Sequence, residues 1–257
     1  MKRTLGIVGL GRFGRLAAAQ LKDRFELVVY DREDCKEAAD RLGVRTAPLG
    51  DVAGCSVVLL CVPISGIEQV LREITPYLVE GSLVVDTCSV KEYPVSAMKA
   101  ILPDFVEILG THPLFGPDSA AGGLEGRKIV ICPVRLQDPR RVERFLRRLK
   151  LRVLVSSPEA HDLAMASTQA IVQFLGRAFL EMGLSRHPMA TPGYDQLIGI
   201  LEVVQHDTWE LFFDMQNFNR FVPHVRERLV GSLTALNRRL SSRSPALFER
   251  NLEGRKG

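Results

Sequence analysis

The sequence has no apolar run approaching the roughly 20 residues a bilayer-spanning helix requires, which excludes a transmembrane helix. Its five cysteines, Cys35, Cys55, Cys61, Cys88 and Cys132, form no Cys-x-x-Cys pair and no metal-ligand spacing. Several of them lie in apolar, strand-like runs, as the buried reduced thiols of a cytosolic protein do. Charge of neither sign dominates: 34 basic side chains face 30 acidic ones, for a formal charge of +4. The densest basic run, residues 135–152, reads as an amphipathic helix with a solvated face. No aromatic interleaving accompanies it, so a nucleic-acid partner is not indicated. Nothing at the start reads as a signal peptide, because a strand and a glycine loop follow Lys2-Arg3 directly.

What the chain does have is length and pattern. Its 257 residues suffice for one large core or two modest ones. An apolar strand, residues 5–8, runs into Gly9-x-Gly11-x-x-Gly14 with Arg12 and Phe13 inside the motif, and an alanine-rich helix follows. The glycines permit a tight turn, approach of a pyrophosphate and close helix–strand packing, and the helix N-terminus offers free amides to phosphate. A second strand, residues 27–30, ends in Asp31, the acidic residue that such a site directs at the adenosine ribose. Asp31 repels a 2′-phosphate and favours NAD; Arg32 beside it suits adenine stacking or that same phosphate, so NADP stays possible.

Strands then alternate with helices. Residues 57–62, 82–86, 105–109 and 128–132 read as strands, and 38–42, 67–74 and 95–101 as helices. This alternation implies an α/β fold with a doubly wound, mostly parallel Rossmann-type sheet. Cys61-Val62-Pro63 and Thr87-Cys-Ser-Val-Lys91 fall at carboxyl ends of strands, where they line a cofactor crevice. Ser89 reads in two ways: a hydroxyl for a substrate oxygen or for His112, or the cap of a helix beginning Ser-Val-Lys-Glu. His112 follows the 105–109 strand, on a loop stiffened by prolines, where a general base belongs.

From about residue 151 the strand-like runs stop. Helical patterns occupy 161–240, broken at 187–193. The expected division is a dinucleotide-binding domain at 1–155, a helical substrate and dimerisation domain at 156–242, and a polar tail at 243–257.

Gly9-Leu-Gly-Arg-Phe-Gly14, Asp86-Thr-Cys-Ser-Val-Lys91 and His112-Pro-Leu-Phe-Gly-Pro-Asp118, in this order and spacing, resemble the prephenate/arogenate dehydrogenase family of tyrosine biosynthesis. The helical part resembles the plant-type arogenate branch through His161-Asp162, Gln169, Gly176-Arg177, Thr191-x-Gly193-Tyr194 and Asp207-x-Trp-Glu-Leu-Phe-Phe213 with Asn219. The resemblance implies that arogenate is oxidatively decarboxylated to tyrosine with hydride transfer to NAD(P), in a homodimer. It also implies His112 as base, Ser89 as its helper, and Gln169, Gln173, Arg177, Lys91 and Tyr194 around the substrate. An acidic residue at Asp207 goes with arogenate preference in that branch.

Two positions depart from the family pattern. Gln173 stands where many members carry a second histidine, and the Phe-Arg-Asp type of sequence that supplies a carboxylate-binding arginine is missing. Arg177 and Lys91 are stand-ins, although Arg177 is also placed to pair with Glu181. The alternatives are a prephenate or dual-specificity cyclohexadienyl dehydrogenase, a β-hydroxyacid dehydrogenase, and a non-catalytic NAD(H) sensor. The second of these uses a lysine on the first helix of its helical domain, and residues 164–177 contain none.

Overall fold

A computed structural model of the chain describes residues 3–241; the expected polar tail lies outside the described residues. The sheet half runs β1 (Thr4–Val8), α1 (Arg12–Leu21), β2 (Glu26–Tyr30), α2 (Lys36–Leu42), β3 (Arg45–Thr46), α3 (Leu49–Ala53), β4 (Val57–Leu60), α4 (Ile67–Ile74), β5 (Leu83–Asp86), α5 (Glu92–Ile101), β6 (Glu107–Pro113), β7 (Lys128–Arg135), α6 (Pro139–Arg148) and β8 (Arg152–Val155). The eight strands form one sheet in the order β3-β2-β1-β4-β5-β6-β7-β8, parallel except where β6 meets β7.

Strands with two apolar faces dictate helices on both sides. Val28, Val84 and Ile108 point into a core roofed by α3, α4 and α5. Their chain neighbours Val29, Val85 and Leu109 point the other way, toward α1 and α2 or toward α6. Helix α4 illustrates the fit: Ile67, Leu71 and Ile74 recur at helical spacing and are wholly buried.

The helical half comprises α7 (Pro158–Ser167), α8 (Gln169–Glu181), α9 (Pro192–Val204), α10 (Trp209–Asn217) and α11 (Val222–Ser241). Two buried carboxylates fasten it to the sheet half. Asp162 of α7 accepts the backbone amides of Lys91 and Glu92 and so caps α5 from outside. Asp214 of α10 accepts the amide and the hydroxyl of Ser65, in the short turn before α4. The Tyr93 and Phe218 rings pack against each other, 4.6 Å apart. On the helical half Val203, Trp209, Phe213, Leu233 and Leu240 remain exposed.

Three local expectations need correcting. The strand expected at 105–109 runs from Glu107 to Pro113, so His112 lies in β6 and not on a loop. Pairing with parallel β5 ends at Gly110, but antiparallel β7 carries the strand onward and sets His112 opposite Val130. Strand structure also continues past residue 151 as β8. Finally, the basic run at 135–152 is not all helix, since α6 takes only its middle.

Candidate active site

The glycine loop connects β1 to α1. Gly9 holds φ at +96°, and a Cβ there would sit 2.4 Å from the Cys61 carbonyl oxygen. At Gly14 a Cβ would lie 2.0 Å from the Gly9 carbonyl oxygen. These two glycines let the loop fold onto itself and onto the β4 end. At Gly11, by contrast, a Cβ would meet nothing within 4 Å. Gly11 is the N-cap of α1, where no side chain caps the helix and no acidic residue occupies the first turn. Free amides, a positive helix end and open space suit a pyrophosphate.

The other expected cofactor residues surround this cradle. Asp31 begins the loop after β2, with its carboxylate accepting the amides of Leu10 and Glu33. Arg32 next to it is exposed and makes no side-chain bond with a described residue. Cys61 and Val62 are half-buried, and Pro63, exposed, opens the turn to α4. The Cys61 thiol is pushed up to about 12 by burial, so it stays protonated and inert. Thr87 is half-buried and donates to the Leu60 carbonyl at 2.9 Å. Phe13 leans on Phe115 of the segment after β6, with centroids 6.4 Å apart.

His112 is 2% exposed. Its Nδ1 lies 2.8 Å from His161 Nε2, while its Nε2 has no partner among the described residues. His161 Nδ1 lies 2.7 Å from Asp162 Oδ1, in the same carboxylate that caps α5. Burial above all, then the His161 ring and the Lys91 ammonium, lowers the His112 pKa well below the ordinary histidine value. The imidazole is therefore neutral at pH 7, as a proton acceptor must be.

The remaining expected residues fall into three groups. Ser89 is half-buried, and its hydroxyl bonds no described residue. It does not cap α5: Lys91 holds the N-cap position and Asp162 supplies the oxygens. Lys91 corrects the reading of it as a carboxylate ligand. It is wholly buried, with Nζ on Asp86 Oδ1, because an ammonium in an apolar interior needs a paired anion.

Gln173, Arg177 and Asp207 come together. Gln173 Nε2 donates to Asp207 Oδ2 at 2.6 Å, and Arg177 donates to the Asp207 carbonyl while stacking 4.4 Å over the Trp209 ring. Arg177 therefore does not pair with Glu181. Asp207 lies in the turn before α10 and not on a helix surface, and its Oδ1 makes no bond with a described residue. Gln169 and Tyr194 are not drawn into this cluster. Gln169 begins α8 with no side-chain bond to a described residue, and the Tyr194 hydroxyl donates to Ser185 at 2.7 Å.

Neither the linkage through His161 and Asp162 nor a clamp on Arg12 is apparent from the local sequence. In that clamp Arg12 of the glycine loop donates to the His206 carbonyl at 2.8 Å and to both Asp118 oxygens at 2.7 and 2.8 Å. One guanidinium thus joins α1, the segment after His112 and the turn that carries Asp207. The signal for the first was an adjacent His-Asp pair one turn into a helix. For the second there was none, since its members are 88 or more residues apart, apart from Arg12 lying in the glycine motif.

Comparison with known proteins agrees with this geometry. The family described as "Prephenate dehydrogenase, nucleotide-binding domain" matches residues 17–155. The family described as "TYRAAT1-like, C-terminal domain" matches residues 178–251. Arogenate dehydrogenase 2, chloroplastic, of Arabidopsis thaliana is 30% identical over 97% of this chain and 73% of its own length. The fold is that of Synechocystis arogenate dehydrogenase, with TM-score 0.68 at 22% identity over 98% of this chain and 96% of that one. It is also that of the A. aeolicus prephenate dehydrogenase solved with hydroxyphenyl propionate and NAD+, with TM-score 0.75 at 20% identity and the same coverage. With its glycine cradle and its match to a nucleotide-binding domain, the chain belongs to the arogenate/prephenate dehydrogenase family, on the plant-type side, and is an NAD(P)-dependent oxidoreductase.

Proposed function

We propose that the protein oxidises and decarboxylates arogenate to tyrosine, with His112 as general base and NAD as the preferred cofactor. The observation that carries this reading is the buried, neutral His112, whose Nδ1 is engaged and whose Nε2 has no partner among the described residues. The substrate is a cyclohexadienol with a ring carboxylate para to its hydroxyl. Bound NAD supplies the hydride acceptor. His112 Nε2 takes the hydroxyl proton as the carbinol C–H bond breaks, and the ring carboxylate leaves as carbon dioxide, which makes the ring aromatic. General-base assistance of this kind is worth about a hundred- to ten-thousand-fold. Ser89, with an uncommitted hydroxyl, holds the substrate oxygen.

Asp207 supplies the preference for arogenate. Arogenate carries an ammonium where prephenate carries a keto group, and Asp207 is half-buried, its Oδ1 unbonded among the described residues. An ammonium satisfies that carboxylate, whereas a ketone leaves it unpaired. Gln173 and Arg177 hold Asp207 and its turn, so their role is to orient it. The Asp31 carboxylate disfavours a 2′-phosphate and supports NAD. Residues 1–155 act as the dinucleotide-binding domain and 156–242 as the substrate and dimerisation domain. The exposed Val203, Trp209, Phe213, Leu233 and Leu240 are the face a second copy covers. The free thiols at all five cysteines suit a reducing cytosol.

The test is a two-by-two assay of NAD or NADP with arogenate or prephenate, followed at the reduced-nicotinamide absorbance band. NAD with arogenate should turn over fastest. No turnover with either substrate would overturn the reading, and faster turnover of prephenate would overturn the role of Asp207. Asp207→Asn should shrink the preference for arogenate by roughly ten- to a hundredfold, the worth of a hydrogen bond to a charged group.

A further inference from the structure

We propose that His161 and Asp162 are positioning residues that lock the His112 ring into the tautomer able to act as a base, so that the helical half of the molecule sets the competence of a residue in the sheet half. The inference rests on the general-base reading of His112 and specifies what that reading requires.

Donor and acceptor roles along the linkage fix the tautomer. Asp162 is buried and its carboxylate receives three donors: the Lys91 amide at 2.7 Å and His161 Nδ1 at 2.7 Å on Oδ1, and the Glu92 amide at 2.9 Å on Oδ2. A second tie comes from Asn219, which donates to the Asp162 carbonyl at 2.7 Å. An ionised carboxylate only accepts, so His161 Nδ1 must carry hydrogen. With the His161 ring neutral, its Nε2 is the acceptor and His112 Nδ1, 2.8 Å away, is the donor. The lone pair of His112 is thereby forced onto Nε2, the atom with no partner. When Nε2 takes a proton, the positive ring still donates through Nδ1 to His161, and Asp162 stands behind it.

Each link is held by a different element. His112 is fixed in β6, His161 and Asp162 lie on α7, and the amides that pin Asp162 are the N-terminus of α5. All three side chains are buried, His161 at 2% and Asp162 at 0% exposure, so water does not compete for these hydrogen bonds. The Lys91 ammonium, whose charge acts on His112, is matched by Asp86, both wholly buried.

A structural role for the pair would need only the Asp162 cap on α5. The proposal additionally needs an acceptor at His161 Nε2, and this separates the two. His161→Phe removes that acceptor and leaves the cap. His161→Gln replaces it with an amide oxygen at about the same reach. Steady-state kinetics, thermal melting and nitrogen-15 NMR of the His112 ring are measured on the full chain with NAD. The wild type should show His112 protonated at Nδ1 and bare at Nε2. His161→Phe should lower kcat roughly ten- to a hundredfold, the scale on which groups orienting a functional histidine act, leave KM within about twofold, and populate the Nε2-protonated tautomer. His161→Gln should recover most of the lost kcat and the original tautomer.

A wild-type His112 protonated at Nε2 overturns the proposal even if His161→Phe fails to fold. So does a folded His161→Phe with normal kcat. If His112→Asn is nearly inactive while folded His161→Phe is normal, only the positioning role falls. If His112→Asn itself is active, the base reading falls first.

Discussion

Two glycines in one motif should respond differently to the same added methyl group, Gly14 mainly in stability and Gly11 mainly in NAD affinity. At Gly14 an alanine Cβ would lie 2.0 Å from the Gly9 carbonyl oxygen, and both partners are backbone. Ordinary carbon contacts are about 3.5 Å, so the loop and α1 must separate by on the order of 1 Å. Overpacking of this kind costs about 1–3 kcal/mol. For a domain of this size that is a drop in Tm of about 2–12 °C. The displaced loop also loses NAD affinity. At Gly11 the same methyl meets nothing within 4 Å, and the only penalty to folding is the poorer N-cap, about 1 kcal/mol or less. It does fill the space a pyrophosphate would use. The loss of one charge-assisted amide contact, about 1.5–3 kcal/mol, weakens NAD binding by roughly ten- to a hundredfold. Differential scanning calorimetry and titration calorimetry with NAD separate the two effects. Gly14→Ala melting like wild type would refute the close packing. Gly11→Ala binding NAD like wild type would refute the cradle.

Three further outcomes follow from two buried polar groups. Because the folded His112 pKa lies well below the ordinary value of about 6.5, the ring stays neutral as pH falls through that value, and kcat/KM should decline only at more acidic pH. The same shift bears on folding. Above about pH 6.5 the ring is neutral in both states and its contribution to stability is intact. As pH drops from there through the lowered folded value, the unfolded state binds the proton first and stability is lost. A pH series of melting curves should show a smaller slope in His112→Asn. Asp214→Ala, which leaves the Ser65 amide and hydroxyl without their acceptor, should lower Tm by about 2–10 °C. An unchanged Tm would mean that the halves are not fastened there.

Much of the sheet half was legible because its signals are local. Continuous apolar strands, a glycine motif between strand and helix, and Ile67, Leu71 and Ile74 at helical spacing each declare themselves within a few residues. What escaped depends on partners distant in sequence. His112 reads as a loop residue because the ladder that makes it β-structure comes from β7, on the far side of a long excursion. β8 is a short strand whose Arg152, Leu154 and Val155 remain exposed, so it lacks the buried pattern that marks β4 or β5. Lys91 reads as an available cation until Asp86 is found against it in a dry interior. The cap on α5 comes from Asp162, about 70 residues downstream, and no scan of the Ser-Val-Lys-Glu turn reveals it.

The central claim, that one buried neutral imidazole removes the substrate proton, is tested most directly by His112→Asn. Turnover and NAD affinity are measured on the same preparation. Turnover should fall by about a hundred- to ten-thousand-fold with the NAD Kd unchanged. Turnover close to that of the wild type would contradict the claim.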